Sequence, residues 1–579
     1  MCADKPPGSD IVLVMPAARH RLASALALLL ASAWLGAQTP APAEPAAAGE
    51  AEQPLTGGNC VASVDRLLAA GLVDRDPRVI GRALEAARDC RYLPAARRAA
   101  DRLLELDGEN VEALRLVGLV ALETWQLELA ARIYRELLAK PDVEPERALA
   151  ELLPEIAEGN AVVAGWLVFK EIILPQTAAP RSLSLLARLA CAADDAGACL
   201  ALIDAARTRD GGNEARTIRL AAAAAAARGD AERALAEADL VAQGDPENHR
   251  FARIETLLAL DRLDEAQAAL LAIESDPTPG NSRVALDADR RLALLALSRG
   301  DVAEAERRFA ARLARDRGAA EALYYLALIA ERRARKDVAL QGYRQLIRAG
   351  VGLPPRSRAA RLLLERGERD EALKFFDELI EGGRSEVIEV ELARSRTLFD
   401  AGFAAEAMAS LEAALARHPE HPNLLYHRAV LLDAAGRTGE GVRTFEALLA
   451  QRPGDGNVLN ALGYTLADRK QQLARAERLI REALAQQPDN AAYIDSLAWV
   501  RYRRGDRKAA LPLLERAWRG SREPEIAAHW GEVLWVSGDR GQARLVWLRG
   551  LAIAPDSKPL RSTIERFAGS VERFQAATP

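Results

Sequence analysis

The sequence predicts an all-α solenoid of about fourteen stacked helix–turn–helix units. Three observations carry that expectation. Ala and Leu dominate a composition that is 50% hydrophobic but only 5% aromatic, which favours helix over strand, and no stretch shows a sustained strand alternation. Small residues recur at fixed places. Between Asn460 and Pro555, three helical segments carry a small residue mid-way (Gly463, Ala498, Gly531), and each is followed about a dozen positions later by a second (Ala476, Ala510, Ala543). Pro488 and Pro555 then come twelve residues after a second small site. Antiparallel helices approach closely only where neither carries a bulky side chain, with large apolar residues one turn away. Proline stops the second helix because it cannot continue the hydrogen-bond ladder.

The second small site recurs at Ala96, Ala130, Ala164, Ala198, Ala234, Ala266, Ala305, Ala339, Ala372, Ala407, Gly441, Ala476, Ala510 and Ala543. Most intervals fall within a residue or two of about 34, the period of a helix–turn–helix repeat. Between Ala266 and Ala305 a turn-rich loop, Ser275 to Arg283, is inserted. One turn past the small site stands an aromatic in several units: Tyr134, Phe309, Tyr343, Phe376, Phe445 and Trp547. Stop prolines recur at Pro246, Pro419, Pro453, Pro488 and Pro555. This pattern resembles the tetratricopeptide-repeat (TPR) family over most of the chain. The resemblance implies a right-handed superhelix whose concave groove is lined by the first helix of each pair. Between Glu146 and Gly212 the units are placed by spacing rather than by motif.

Taken in order, residues 1–14 look unrelated to the rest of the chain, and Met15 is the expected true start. Arg19 and Arg21 form a basic flank, Leu22 to Ala33 an apolar core too short to span a bilayer, and Ala31, Ser32, Ala33 and Ala37 small-residue cleavage points. Residues 1–37 are therefore read as a start region with a secretory signal peptide. A lipoprotein signal would need a cysteine where Gln38 stands, since the thiol receives the lipid. Membrane attachment is then expected only through an uncleaved signal or a partner. The Ala/Pro-rich tract 38–58 cannot bury enough apolar surface to fold and reads as a linker. A degenerate array over 59–284 and a regular array over 285–556 come next. Within the first, Arg216 to Gly229 carries an alanine run that permits close packing all round and holds no chemistry. In 557–579, Leu560, Ile564, Phe567, Val571 and Phe574 form one apolar stripe, as a helix capping the last repeat would.

Of five cysteines, Cys2 precedes the expected start. The other four, Cys60, Cys90, Cys191 and Cys199, are an even number for an oxidising compartment. Cys191 and Cys199 flank a turn that adjacent antiparallel helices could close, and Cys60 and Cys90 could pin the entry segment to the first repeat. The alternative is four buried thiols packed as small hydrophobes.

A net charge of −5 with interleaved acidic and basic residues argues against a nucleic-acid binder held by phosphate contacts. No phosphate loop, dinucleotide fingerprint, zinc motif or nucleophile elbow occurs, so no catalytic residue, metal site or cofactor is expected. His418, His421 and His427 cluster in sequence, but they fall at a helix end, in a turn and on the next helix. His529 has no evident nucleophile beside it. The groove of the closing repeats is the expected site. Its candidates are Tyr426, Asn460, Tyr464, Asp495, Trp499, Tyr502, Arg503 and Trp535. Asn and Arg can hydrogen-bond an extended peptide, and Tyr and Trp anchor interfaces. Tyr464 and Trp499 directly follow the small site, so packing between repeats is a strong alternative reading for both.

The closing stretches LNALGYTLADR, PDNAAYIDSLAWVRYRRGD and EIAAHWGEVLW are similar to the TPR lipoproteins of the proteobacterial outer membrane. Some of these are adaptors for a periplasmic carboxyl-terminal processing protease. The resemblance implies a non-enzymatic periplasmic scaffold that gathers the protease and substrates such as cell-wall hydrolases. Gln38 departs from that family's lipidation site. The alternatives are an assembly or secretion component for envelope polysaccharide, and an enzyme carried on a solenoid scaffold.

Overall fold

The computed structural model describes residues 60–90, 92–158, 161–173, 179–209, 213–244, 250–276, 282–381, 387–554, 557–571 and 574. The expected signal peptide and the linker lie outside the described residues. Among these, 30 helices and no strand are present. After a lead helix, Cys60–Val73, fourteen pairs run from Pro77–Asp89 with Leu93–Asp107 to Pro524–Val536 with Arg540–Ile553. The helix Lys558–Ala568 closes the array. The fold is thus the all-α solenoid of stacked helix pairs that the periodicity predicts. The helix Ser282–Ser298 runs across the division between the two expected arrays, which therefore meet inside one element.

The crossing residue is set by where each second helix starts. Leu473–Gln486, Arg507–Gly520 and Arg540–Ile553 place Ala476, Ala510 and Ala543 three residues in, and all three are fully buried. The same count shifts two sites that spacing had placed at Ala164 and Ala198. Val162–Ile173 puts Gly165 at the crossing, where an added Cβ would lie 2.6 Å from Ile156 Cγ2. Ala196–Arg207 puts the fully buried Cys199 there and leaves Ala198 half-buried. Turn length fixes the crossing, and spacing cannot choose between two adjacent small residues. The aromatics one turn further on, Tyr134, Phe309, Tyr343, Phe376, Phe445 and Trp547, are among the largest fully buried side chains.

Three of the stop prolines act through the residue before them, while Pro246 and Pro555 lie outside the described residues. His418 (φ −131°, ψ 69°), Arg452 (φ −133°, ψ 69°) and Gln487 (φ −132°, ψ 80°) all leave the helical region where Pro419, Pro453 and Pro488 follow. Proline's Cδ excludes α geometry at that position. At the far end Leu560, Ile564, Val571 and Phe574 are buried, and Phe567 and Phe574 lie 6.4 and 5.9 Å from the Trp547 ring, so the closing segment covers the last repeat.

The superhelix coils far enough for its early turns to meet its late ones. Gln487 donates to the Ala193 carbonyl (3.2 Å) and Asp194 Oδ2 (3.3 Å), 294 and 293 residues away. Arg522 pairs with Asp261 at 2.8 Å, Arg228 lies 3.6 Å from Asp489, and the Trp125 ring reaches Gly454. Trp125, Asp194 and Asp261 occupy the left-handed region (φ 59°, 60°, 61°) at turns between paired helices. The same turn uses Gly505 and Gly538 further on (φ 92°, 99°). A left-handed non-glycine residue costs about 1 kcal/mol or more. Here it supplies a side chain to the seam between turns, which glycine could not. Cys191 and Cys199 are joined in a disulfide (Cα–Cα 5.2 Å) that brackets the turn holding Asp194. Cys90 is also disulfide-bonded, while the side chain of Cys60 lies outside the described residues.

Gly531 gives a direct test of the crossing rule. A Cβ there would lie 2.0 Å from Trp547 Nε1, in a ring that is wholly buried and stacked on Trp535. Gly531→Ala is expected to destabilise the chain by about 1–3 kcal/mol. Gly541→Ala, whose nearest neighbour is Asp539 Oδ1 at 3.9 Å, should be neutral or slightly stabilising. Thermal melting of the two variants side by side makes the comparison, and equal melting points would refute the rule.

Candidate protein-binding groove

The first helices of the last four pairs are Pro422–Ala434, Gly456–Asp468, Ala491–Arg503 and Pro524–Val536. Packed in order, they carry residues about one repeat apart onto neighbouring positions of one face. His529 is the hub of the polar groups gathered there. Its Nδ1 lies 2.8 Å from Asp495 Oδ2, its ring stacks on Trp499 at 4.1 Å, and its Nε2 is 3.4 Å from Tyr464 Oη. Trp499 Nε1–H donates to Asp468 Oδ1 at 3.2 Å. Arg503 donates to the Asp468 carbonyl, and its guanidinium carbon lies 5.4 Å from the centroid of the Trp499 ring. Tyr502 Oη donates to Glu532 Oε1 at 3.0 Å, and Arg566 of the closing helix pairs with the same carboxylate.

Burial by itself would lower the His529 pKa, but the carboxylates of Asp495, Glu525 and Glu532 more than offset it and lift the imidazole to about 9. As an imidazolium it donates from both nitrogens, to Asp495 and to Tyr464. Burial pushes the Glu525 carboxyl up to about 8. His529 opposes that rise, while Asp495, Glu523 and Asp468 add to it. Two groups on one helix face therefore carry their protons into the neutral range.

The expected residues distribute unevenly. Asn460, Asp495 and Trp499 are buried, at 1%, 5% and 4% exposure. Tyr464, Tyr502 and Arg503 are half-buried beside them. Trp499 is wedged between repeats. Tyr426 is half-buried and meets Phe445 edge-on at 5.5 Å. Trp535 stands apart from this cluster, stacked on Trp547 at 5.4 Å with the Arg540 guanidinium over it at 5.1 Å. Sequence reasoning missed His529 as the hub and omitted Glu525, Asp468 and Glu532. The usable signal was the period: Asp495 and His529 are 34 residues apart, one repeat.

His427 is buried and held neutral. Burial, then the nearby Arg396, lowers its pKa to about 3. Among the described residues no group of three or more His, Cys, Asp or Glu could hold a metal ion, and no helix is long and apolar enough to cross a membrane.

Stacked helix pairs with a polar and aromatic inner face define a repeat scaffold. Two family models, both described as tetratricopeptide repeat, match residues 290–354 and 398–464. A TPR repeat-containing protein of Pseudomonas aeruginosa is 31% identical over 247 residues, which is 43% of this chain and 42% of that protein. The chain thus matches less than half the length of that relative. Among solved structures, a thermophilic TPR protein of Thermus thermophilus is 21% identical, with 33% of this chain and 97% of that one covered at a TM-score of 0.29. Yeast Tom70 is 13% identical, with 74% and 96% covered at a TM-score of 0.34.

His529 should titrate far above an ordinary histidine. A folded pKa above the unfolded 6.5 means that its contribution to stability is complete below 6.5 and is lost as pH rises through about 9. Histidine NMR of the wild type should show one imidazole still protonated at pH 8, and Asp495→Asn should lower that midpoint by at least about one unit. A wild-type midpoint at or below 6.5 would refute the arrangement.

Proposed function

We propose that the chain is a non-enzymatic scaffold that binds other proteins along the groove of its closing repeats. The observation that carries this reading is the convergence of Tyr426, Tyr464, Asp495, Trp499, Glu525 and His529 from four successive first helices. Burying charge is costly, and a repeat that needed only stability would put apolar side chains there. We place the scaffold in the cell envelope, exported by the segment 15–37. The Cys191–Cys199 disulfide supports an oxidising compartment. The similarity of the closing repeats to adaptor lipoproteins favours a periplasmic carboxyl-terminal processing protease and its substrates, such as cell-wall hydrolases, as the partners.

The test is recovery of partners from native envelope extract by wild type and by Tyr464→Ala, with thermal melting to establish that the variant is folded. A protease with hydrolases is expected on the wild type. Tyr464→Ala should weaken capture roughly thirtyfold, as loss of an interface hot spot worth about 2 kcal/mol does. Glycan-synthesis or secretion machinery in place of the protease would overturn the partner assignment in favour of the polysaccharide reading. Undiminished capture by a folded Tyr464→Ala chain would remove the groove from the account.

A further inference from the structure

Three acceptor oxygens in this groove are out of solvent contact and bonded to nothing else in the protein: Asn460 Oδ1, Asp495 Oδ1 and Glu525 Oε1. They come from three consecutive first helices. Asn460 and Asp495 are 1% and 5% exposed. A buried acceptor without a donor costs about 1–3 kcal/mol, and native interiors leave few. Asp495 Oδ2 is already engaged by His529, so its other oxygen is the spare one. Asp495 and Glu525 act on each other and both act on the Tyr464 hydroxyl, and Glu525 also acts on Tyr426. Asp495 and Tyr464 both contact His529, which stands one turn after Glu525 on the same helix, so the unmet oxygens of Asp495 and Glu525 lie around one place in the groove, beside Tyr464. Asn460 occupies, one repeat earlier, the place that Asp495 holds.

The charge balance of that space is one-sided. The groups facing Glu525 are His529, Asp495, Glu523 and Asp468, three carboxylates against one imidazolium. The nearby Arg503 is turned onto the Asp468 carbonyl and the Trp499 ring.

We infer that this space receives a lysine or arginine side chain from an extended segment of a partner protein, with Asp495, Glu525 and Asn460 as acceptors and Tyr426 and Tyr464 as walls. The inference rests on the groove reading above and specifies its partner. An ammonium offers three donors and no acceptor, and a guanidinium five, which suits a place where three acceptors are unmet. Tyrosine faces attract cations. An acidic side chain would meet like charge, and an apolar one would leave every acceptor unpaired. An entering cation also undoes what keeps Glu525 protonated, so its proton passes to solvent as the carboxylate forms. It disfavours the His529 imidazolium as well, in the same direction. Binding should then strengthen as pH rises through about 8. The ligand stays charged over that range, since free lysine titrates near 10.4.

The experiment measures binding of the full chain to an array of short peptides made in three versions, with central lysine, norleucine or glutamate, at pH 6 and pH 9. Lysine versions should bind about tenfold or more tighter than their norleucine counterparts, and about tenfold tighter at pH 9 than at pH 6. Glu525→Gln should abolish most of the lysine preference and of the pH dependence while norleucine peptides bind as before. Its Oε1 bonds to nothing, so the fold should survive, and melting verifies this. Asp495→Asn serves as a second variant with the same expected loss of preference. Equal affinity for lysine and norleucine, or a preference for glutamate, overturns the cation site and leaves the groove reading intact. Failure of every version to bind the folded wild type overturns both.

Discussion

The structure depends on one contact repeated fourteen times, the close approach of two helices at a residue too small to hold them apart. The second helix meets the first three residues after its start, at Ala, Gly or, once, Cys199. Directly past it, one turn on, an aromatic such as Phe376 or Trp547 fills the space beside the crossing. A bulkier residue at the crossing would move the pair apart and expose that ring, so both gains come or go together. Each pair then presents the same surface to the next, which is why the array grows by addition with no single central core.

That regularity makes function possible. With first helices held at a constant offset, residues one period apart become neighbours. Asp495 and His529 touch for this reason, and Tyr464, two repeats before His529 in the stack, reaches the other side of the same ring. The scaffold can therefore hold ionisable groups out of water that no single repeat could support. His529 retains its proton because Asp495 stands beside it. Glu525 retains its own because burial and like charge leave the carboxylate poorly stabilised.

The small rotation between pairs has a second consequence. Summed over many repeats, it brings turns of the early array against loops of the late one. At Trp125, Asp194 and Asp261 the chain accepts left-handed backbone without glycine, and each of these side chains faces the seam. The Arg522–Asp261 pair is partly exposed and contributes little alone. Gln487 is 3% exposed and bonds two groups across the seam, so its loss would leave buried polar atoms unpaired. The disulfide beside Asp194 restrains the same tip.

The amino-acid sequence by itself determined the helix pairs, their number, the crossing residues to within one position, the buried aromatics and the closing helix. All are contacts within a pair or between adjacent units, so each leaves a mark at a short, constant spacing. The slip from Ala164 to Gly165 and from Ala198 to Cys199 occurred where two small residues stand side by side. The candidate site was half legible. Asn460, Tyr464, Asp495 and Trp499 follow from their place beside the crossing. His529 and Glu525 needed the same period applied to polar residues, and a lone histidine in sequence shows nothing of the carboxylates that surround it. Which candidates pack, as Trp499 does, and which remain partly open, as Tyr464 does, was decided by tertiary structure, because burial depends on the neighbouring repeats' side chains. The seam was beyond any local pattern. Gln487 meets Asp194, and Arg522 meets Asp261, across 293 and 261 residues, through a curvature that no single repeat encodes and that only accumulates along the array.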